Sequence, residues 1–95
     1  MTALAEPMFR RRVIIRGVVQ GVFFRATCAE EARARGVSGW VANRPDGSVE
    51  AVFEGDEAAV TAMVEWSHSG PPYAVVSDVE VSQEAPRGES SFTVH

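Results

Sequence analysis

Gly17-Val18-Val19-Gln20-Gly21-Val22-Phe23-Phe24-Arg25 decides how the rest of the chain is read. It lies between an apolar, β-branched run, Val13-Ile14-Ile15, and an Ala/Glu/Arg-rich segment from Ala26 to Arg35. The first suits a strand and the second a helix, so the stretch is a strand-to-helix turn. Gly17 and Gly21 allow a sharp turn and close approach to a ligand. No Ser, Thr, Asp or Asn lies between Gly17 and Arg25, so no side-chain cap takes the first N–H groups of the helix. Those donors stay available to an anion. Arg25 then falls in or beside the first helical turn, where the macrodipole disfavours a cation unless an anion is bound. Alone, these features fit an anion site or a glycine-rich turn with a solvated Arg.

Outward from this turn the order is regular. Strand one covers residues 9 to 18. The first helix runs from about Phe24 to Arg35, with Phe24, Cys28 and Ala32 on one face and Gly36 at its C-terminus. Strand two, Val37 to Asn43, leads through the turn Arg44-Pro45-Asp46-Gly47 to strand three, Ser48 to Glu54. Strand three alternates Val49, Ala51 and Phe53 against Glu50 and Glu54. Asp56 suits the N-cap of a second helix carrying Val60, Met63 and Val64 on its buried stripe, and Gly70-Pro71-Pro72 ends it. Strand four follows from about Ala74 to Gln83, then a short strand at Phe92 to Val94. The order βαββαβ plus a terminal strand predicts an α+β, ferredoxin-like split βαβ fold: an antiparallel sheet with both helices on one face.

Ninety-five residues, 45% of them apolar, fit a single domain over 1–95 with a loose N-terminal tail at 1–8. One cysteine excludes an internal disulfide. With no signal-like apolar segment, the expectation is a cytoplasmic chain without a membrane partner. A net charge of −4 argues against sequence-independent binding of nucleic acid. Arg10-Arg11-Arg12 beside the first strand is expected to oppose pairing at a sheet edge.

The hairpin supplies Gly39-Trp40-Val41-Ala42-Asn43-Arg44-Pro45-Asp46-Gly47-Ser48-Val49. Together with residues 17 to 25 it resembles the two signature segments of the acylphosphatases. The likeness runs from about residue 10 to 94 and includes Gly70-Pro71-Pro72. Cys28, where many members carry Thr, is a mild departure. The resemblance implies hydrolysis of the carboxyl-phosphate bond of small acyl phosphates by a monomer, without metal or organic cofactor. It further implies that Arg25 and the loop N–H groups of Gln20, Gly21, Val22, Phe23 and Phe24 bind the phosphate, and that Asn43 orients the attacking water. Read from the hairpin alone, Asn43 has a lesser, purely structural alternative as a strand-end or turn residue before Pro45.

Other chemistry is weaker. Cys28 and Arg33 are separated by one residue fewer than a cysteine-phosphatase loop requires, so Cys28 reads as a small core residue. His68 and His95 are scattered and make no metal site with one Cys. Trp40 and Trp66 read as core. Of the adjacent Phe23 and Phe24, one can face the core and the other the substrate mouth. Asp46 reads as turn chemistry. The same element order serves RNA-recognition modules, but strand three offers only Phe53 for base stacking.

Overall fold

The computed structural model describes residues 8–95. Apart from Met8, which is exposed, the expected N-terminal tail lies outside the described residues. The elements are β1 (Phe9–Val18), α1 (Phe24–Ala34), β2 (Ser38–Asn43), β3 (Val49–Gly55), α2 (Glu57–Ser67), β4 (Val75–Glu84) and β5 (Phe92–Val94). One sheet holds all five strands in the order β4-β1-β3-β2-β5. Its pairings are antiparallel, as expected, except that the short terminal strand β5 adds to the β2 edge in parallel.

Strand alternation separates the two faces. Val13 pairs with Ala51 and Val81, Ile15 with Val49 and Val79, and Val41 with Ala51. All of these but Val81, which is 44% exposed, meet the stripes of both helices in one core with Phe24, Cys28, Ala32, Val60 and Met63, giving the two-helix, ferredoxin-like arrangement. Helix α1 ends in a Schellman turn: Val37 N–H donates to Ala32 O and Gly36 N–H to Arg33 O, with Gly36 at φ 68°. Helix α2 opens as its sequence predicts, Asp56 accepting from Ala59 N–H at 2.8 Å.

The opposite face is polar at its β1 end, and here the arginine expectation is overturned. Strand β1 lies inside the sheet, paired on both sides, and Arg10 is 1% exposed. Its guanidinium pairs with Glu54 at 3.1 Å, Glu84 at 2.8 Å and Glu89 at 2.9 Å. Glu54, also 1% exposed, accepts in turn from the N–H groups of Arg87, Gly88 and Glu89. Burial alone would push the Glu54 carboxyl up. Those three amides and Arg10 outweigh it and hold the group below the ordinary Glu value. The pair therefore pins the segment between β4 and β5 to the sheet.

Trp40 is a second correction. It sits half-buried on this same face, with the Arg12 guanidinium 5.5 Å above its ring, and outside the core. Trp66 is half-buried against Phe24, ring centres 5.2 Å apart, at the core margin. Phe53 is fully buried beneath the helices, so it offers no platform for a base.

Candidate active site

The loop between β1 and α1 is set by its backbone. Gly17 (φ 130°) stands at a register irregularity between β1 and β4, where a Cβ would lie 2.1 Å from Val75 O. It serves the close approach of β4, whereas Gly21 (φ 75°) faces open space. Phe23 caps α1 in the left-handed region (φ 64°, ψ 22°) and makes no side-chain cap bond, as the absence of capping residues predicts. Among the described residues, none of the N–H groups from Gln20 to Ala26 donates within the chain; Thr27 N–H is the first, to Phe23 O at 3.0 Å. A row of free amides thus surrounds the start of a helix.

Arg25, in the first turn of α1, is half-buried, and its Nη1 donates to the main-chain O of His95 at 2.8 Å. Asn43 is the exposed last residue of β2. The hairpin that follows is closed by Arg44 N–H to Ser48 O at 2.8 Å and Gly47 N–H to Arg44 O at 3.1 Å. Asp46 Oδ1 accepts from the hydroxyl and N–H of Ser48. Those two bonds hold its carboxyl below the ordinary Asp value, which makes it a turn residue and a poor proton donor.

A cavity of about 350 Å³ brings Gly21, Phe23, Phe24, Arg25 and Asn43 together. Val19, Ala26 and Val94 also line it and were not anticipated. Val94 is brought in by β5, whose parallel pairing with β2 no local pattern announces. Gln20 and Val22 are not among the lining residues. The Gln20 side chain instead donates to the main-chain oxygens of Arg44 at 2.8 Å and Ser48 at 2.9 Å, and Val22 packs against the core. Phe24 is core-facing and 2% exposed, whereas Phe23 is 75% exposed.

Cys28 is fully buried, and burial, with Glu31 nearby, pushes its thiol up to about 12. His68 is exposed, its ring Nδ1 3.0 Å from Val64 O. Among the described residues no three His, Cys, Asp or Glu side chains cluster as a metal site would require.

Fold and cavity together define a ferredoxin-like α+β protein in which the strand-to-helix loop, the Arg25 guanidinium and the Asn43 carboxamide at the end of β2 border one cavity. The family model described as Acylphosphatase matches residues 11–94. An acylphosphatase of Haloquadratum walsbyi is 52% identical over 91 residues, covering 96% of this chain and 98% of that one. Solved acylphosphatase structures from Coxiella burnetii (TM-score 0.89, 35% identity, 93% of each chain) and Bacillus subtilis (TM-score 0.88, 39% identity, 92% of this chain and 98% of that one) share the fold. The chain belongs to the acylphosphatase family, hydrolases of the carboxyl-phosphate bond of acyl phosphates.

Proposed function

We propose that this chain hydrolyses small acyl phosphates with Arg25 and the loop N–H groups of Gln20 to Phe24 binding the phosphoryl group and Asn43 orienting the attacking water. The observation that supports the assignment is that Arg25, Asn43 and the loop residues Gly21, Phe23 and Phe24, whose N–H groups make no bond within the described chain, border one cavity. The chemistry fits these residue types. A carboxylate leaving group has a pKa of about 4, like an Asp or Glu side chain, and departs at neutral pH without a proton. A general acid is therefore dispensable. The remaining demand is charge on the phosphoryl oxygens, which fixed N–H dipoles and a guanidinium stabilise by position. An amide such as Asn43 cannot take a proton at neutral pH but can hold a water; the proton passes to the substrate phosphate or to solvent.

In this reading the reaction uses no metal, and the protein works as a cytoplasmic monomer without nucleic acid or membrane partners. The edge strand β4 carries Asp78, Glu80 and Glu84, and β5 is three residues long, both of which discourage edge pairing. No helix among the described residues is long and apolar enough to cross a membrane.

The test is benzoyl phosphate hydrolysis in excess chelator, comparing wild type, Arg25→Ala and Asn43→Ala at matched folded concentration. Wild-type turnover should survive the chelator, and each variant should lose on the order of 10² in rate, as when an oxyanion-hole donor is removed. Near wild-type turnover in Asn43→Ala would remove it from the mechanism, and chelator-sensitive turnover would remove the metal-free reading.

A further inference from the structure

We infer that Phe23 is a specificity-determining residue, its ring forming the acyl-group wall of the cavity and favouring acyl phosphates with an aromatic or bulky apolar acyl group over small ones. The inference rests on acyl phosphate hydrolysis at this cavity. Phe23 and Phe24 are neighbours with opposite fates: Phe24 is 2% exposed against Trp66, while Phe23 is 75% exposed. The core therefore gives no reason for an aromatic residue at position 23.

The backbone gives none either. Phe23 is the one non-glycine residue with positive φ among the described residues. That region suits Gly or Asn and is unfavourable for a bulky side chain. A large apolar ring is kept where both solvent and backbone geometry oppose it, on the border of the cavity shared with Arg25 and Asn43.

Cavity size and wall chemistry supply the occupant. At about 350 Å³ it falls within the range, roughly 300 to 1,000 Å³, of sites that hold whole organic ligands. The polar groups suited to the phosphoryl end are the loop amides, Arg25 and Asn43. The side chains that remain along the lining are apolar: Phe23, Val19, Phe24, Ala26 and Val94, the last 44% exposed. An apolar acyl substituent gains by covering that wall. An acetyl group is too small to cover much of it, and an acyl group bearing its own carboxylate meets no second cation in the lining.

The experiment measures kcat/KM for benzoyl phosphate and for acetyl phosphate with wild type and Phe23→Ala. Any general loss from relaxation of the loop affects both compounds and cancels in the ratio. The benzoyl-to-acetyl ratio is expected to fall about tenfold, the scale set by apolar pocket contacts, and to fall less in Phe23→Leu. A ratio that stays within about threefold of wild type shows that the ring only rides on the loop, and overturns the proposal. Should turnover of the variant be too slow to measure, calorimetric affinities for phenacylphosphonate and acetonylphosphonate read the same ratio. Wild-type turnover with an unmoved ratio overturns the role of Phe23 alone. Absence of wild-type turnover on either compound overturns the reaction itself, and this role with it.

Discussion

The side-chain amide of Gln20 donates to the carbonyl oxygen of Arg44 at 2.8 Å, and the same nitrogen reaches Ser48 O at 2.9 Å. One side chain thus ties the loop between β1 and α1 to the turn that follows Asn43, and fixes the distance between the two halves of the cavity. A displacement of about 1 Å between reacting groups can cost on the order of 10² in rate.

Gln20→Leu should therefore lower kcat about tenfold or more while leaving KM less affected, because ground-state phosphate contacts remain. Gln20→Glu is nearly isosteric but, when ionised, presents acceptors to two acceptors. It should be at least as impaired at neutral pH and recover partly on acidification, when the protonated carboxyl can again donate. Steady-state kinetics of both variants across pH provide the check, and a Glu variant with wild-type kcat at neutral pH would show that the link is idle.

Arg10 offers a test of the buried face. It is enclosed by Glu54, Glu84 and Glu89, and these partners raise its pKa despite the opposing effect of burial. Arg10→Met would leave acidic groups, Glu54 fully buried among them, without their shared cation. The expected loss is about 3 to 5 kcal/mol, as for a broken buried ion pair, measured by urea unfolding. A loss below about 1 kcal/mol would place this cluster with surface pairs.

The same cluster sets an acid limit. Hydrogen bonds from Arg12 and then Arg10 pull the Glu84 carboxyl down from 4.5 to about 2, and Glu54 is also lowered. A carboxyl whose folded value is depressed contributes stability that is complete above its unfolded value and fades as pH falls toward the folded one. The contribution of Glu84 should thus disappear between about pH 4.5 and 2. In Glu84→Gln, unfolding free energy should fall less steeply through that window than in wild type. Parallel slopes would mean that the carboxylate is not coupled to folding.

How much of this was legible in the sequence follows from the range of each interaction. The Phe24-Cys28-Ala32 face, the Asp56 cap and the turn around Asp46 depend on neighbours within four residues, and local periodicity captures them. Arg25 and Asn43, which line one cavity, could be singled out because both fall within recognisable segments. Arg10 was misplaced because its acidic partners lie on β3, at the end of β4 and beyond it, and only the strand order brings them together. Trp40 was misassigned because face parity in a strand of six residues cannot show which face the helices cover. Val94 and the Gln20 link need the register of β5 and the shape of the hairpin, and neither is written in the local pattern.

Two glycines separate close packing from backbone conformation. Gly17→Ala would place a Cβ 2.1 Å from Val75 O at φ 130°, so β1 and β4 must part locally. A loss on the order of 3 kcal/mol or more is expected. Gly47→Ala, at φ 92° with nothing within 4 Å, carries only the conformational strain, about 1 kcal/mol. Thermal unfolding of the pair would show the difference, and equal losses would refute the close approach at Gly17.

Cys28 supplies the last test, because it separates a buried thiol from a nucleophile. The side chain is fully buried on α1, and its thiol is pushed up to about 12 by desolvation first and by Glu31 second. At neutral pH almost none of it is thiolate, the form that attacks phosphorus or a thiol reagent. Native protein should therefore resist alkylation by iodoacetamide at pH 8 and become reactive only on unfolding. Cys28→Ala should retain most of the acyl phosphatase turnover, with a stability loss of about 1 kcal/mol from the deleted sulfur. Rapid alkylation of the folded protein with parallel loss of activity would contradict both the packing and the metal-free, water-attack reading built on Arg25 and Asn43. Slow alkylation with full activity would leave the phosphoryl group to the loop amides and the guanidinium.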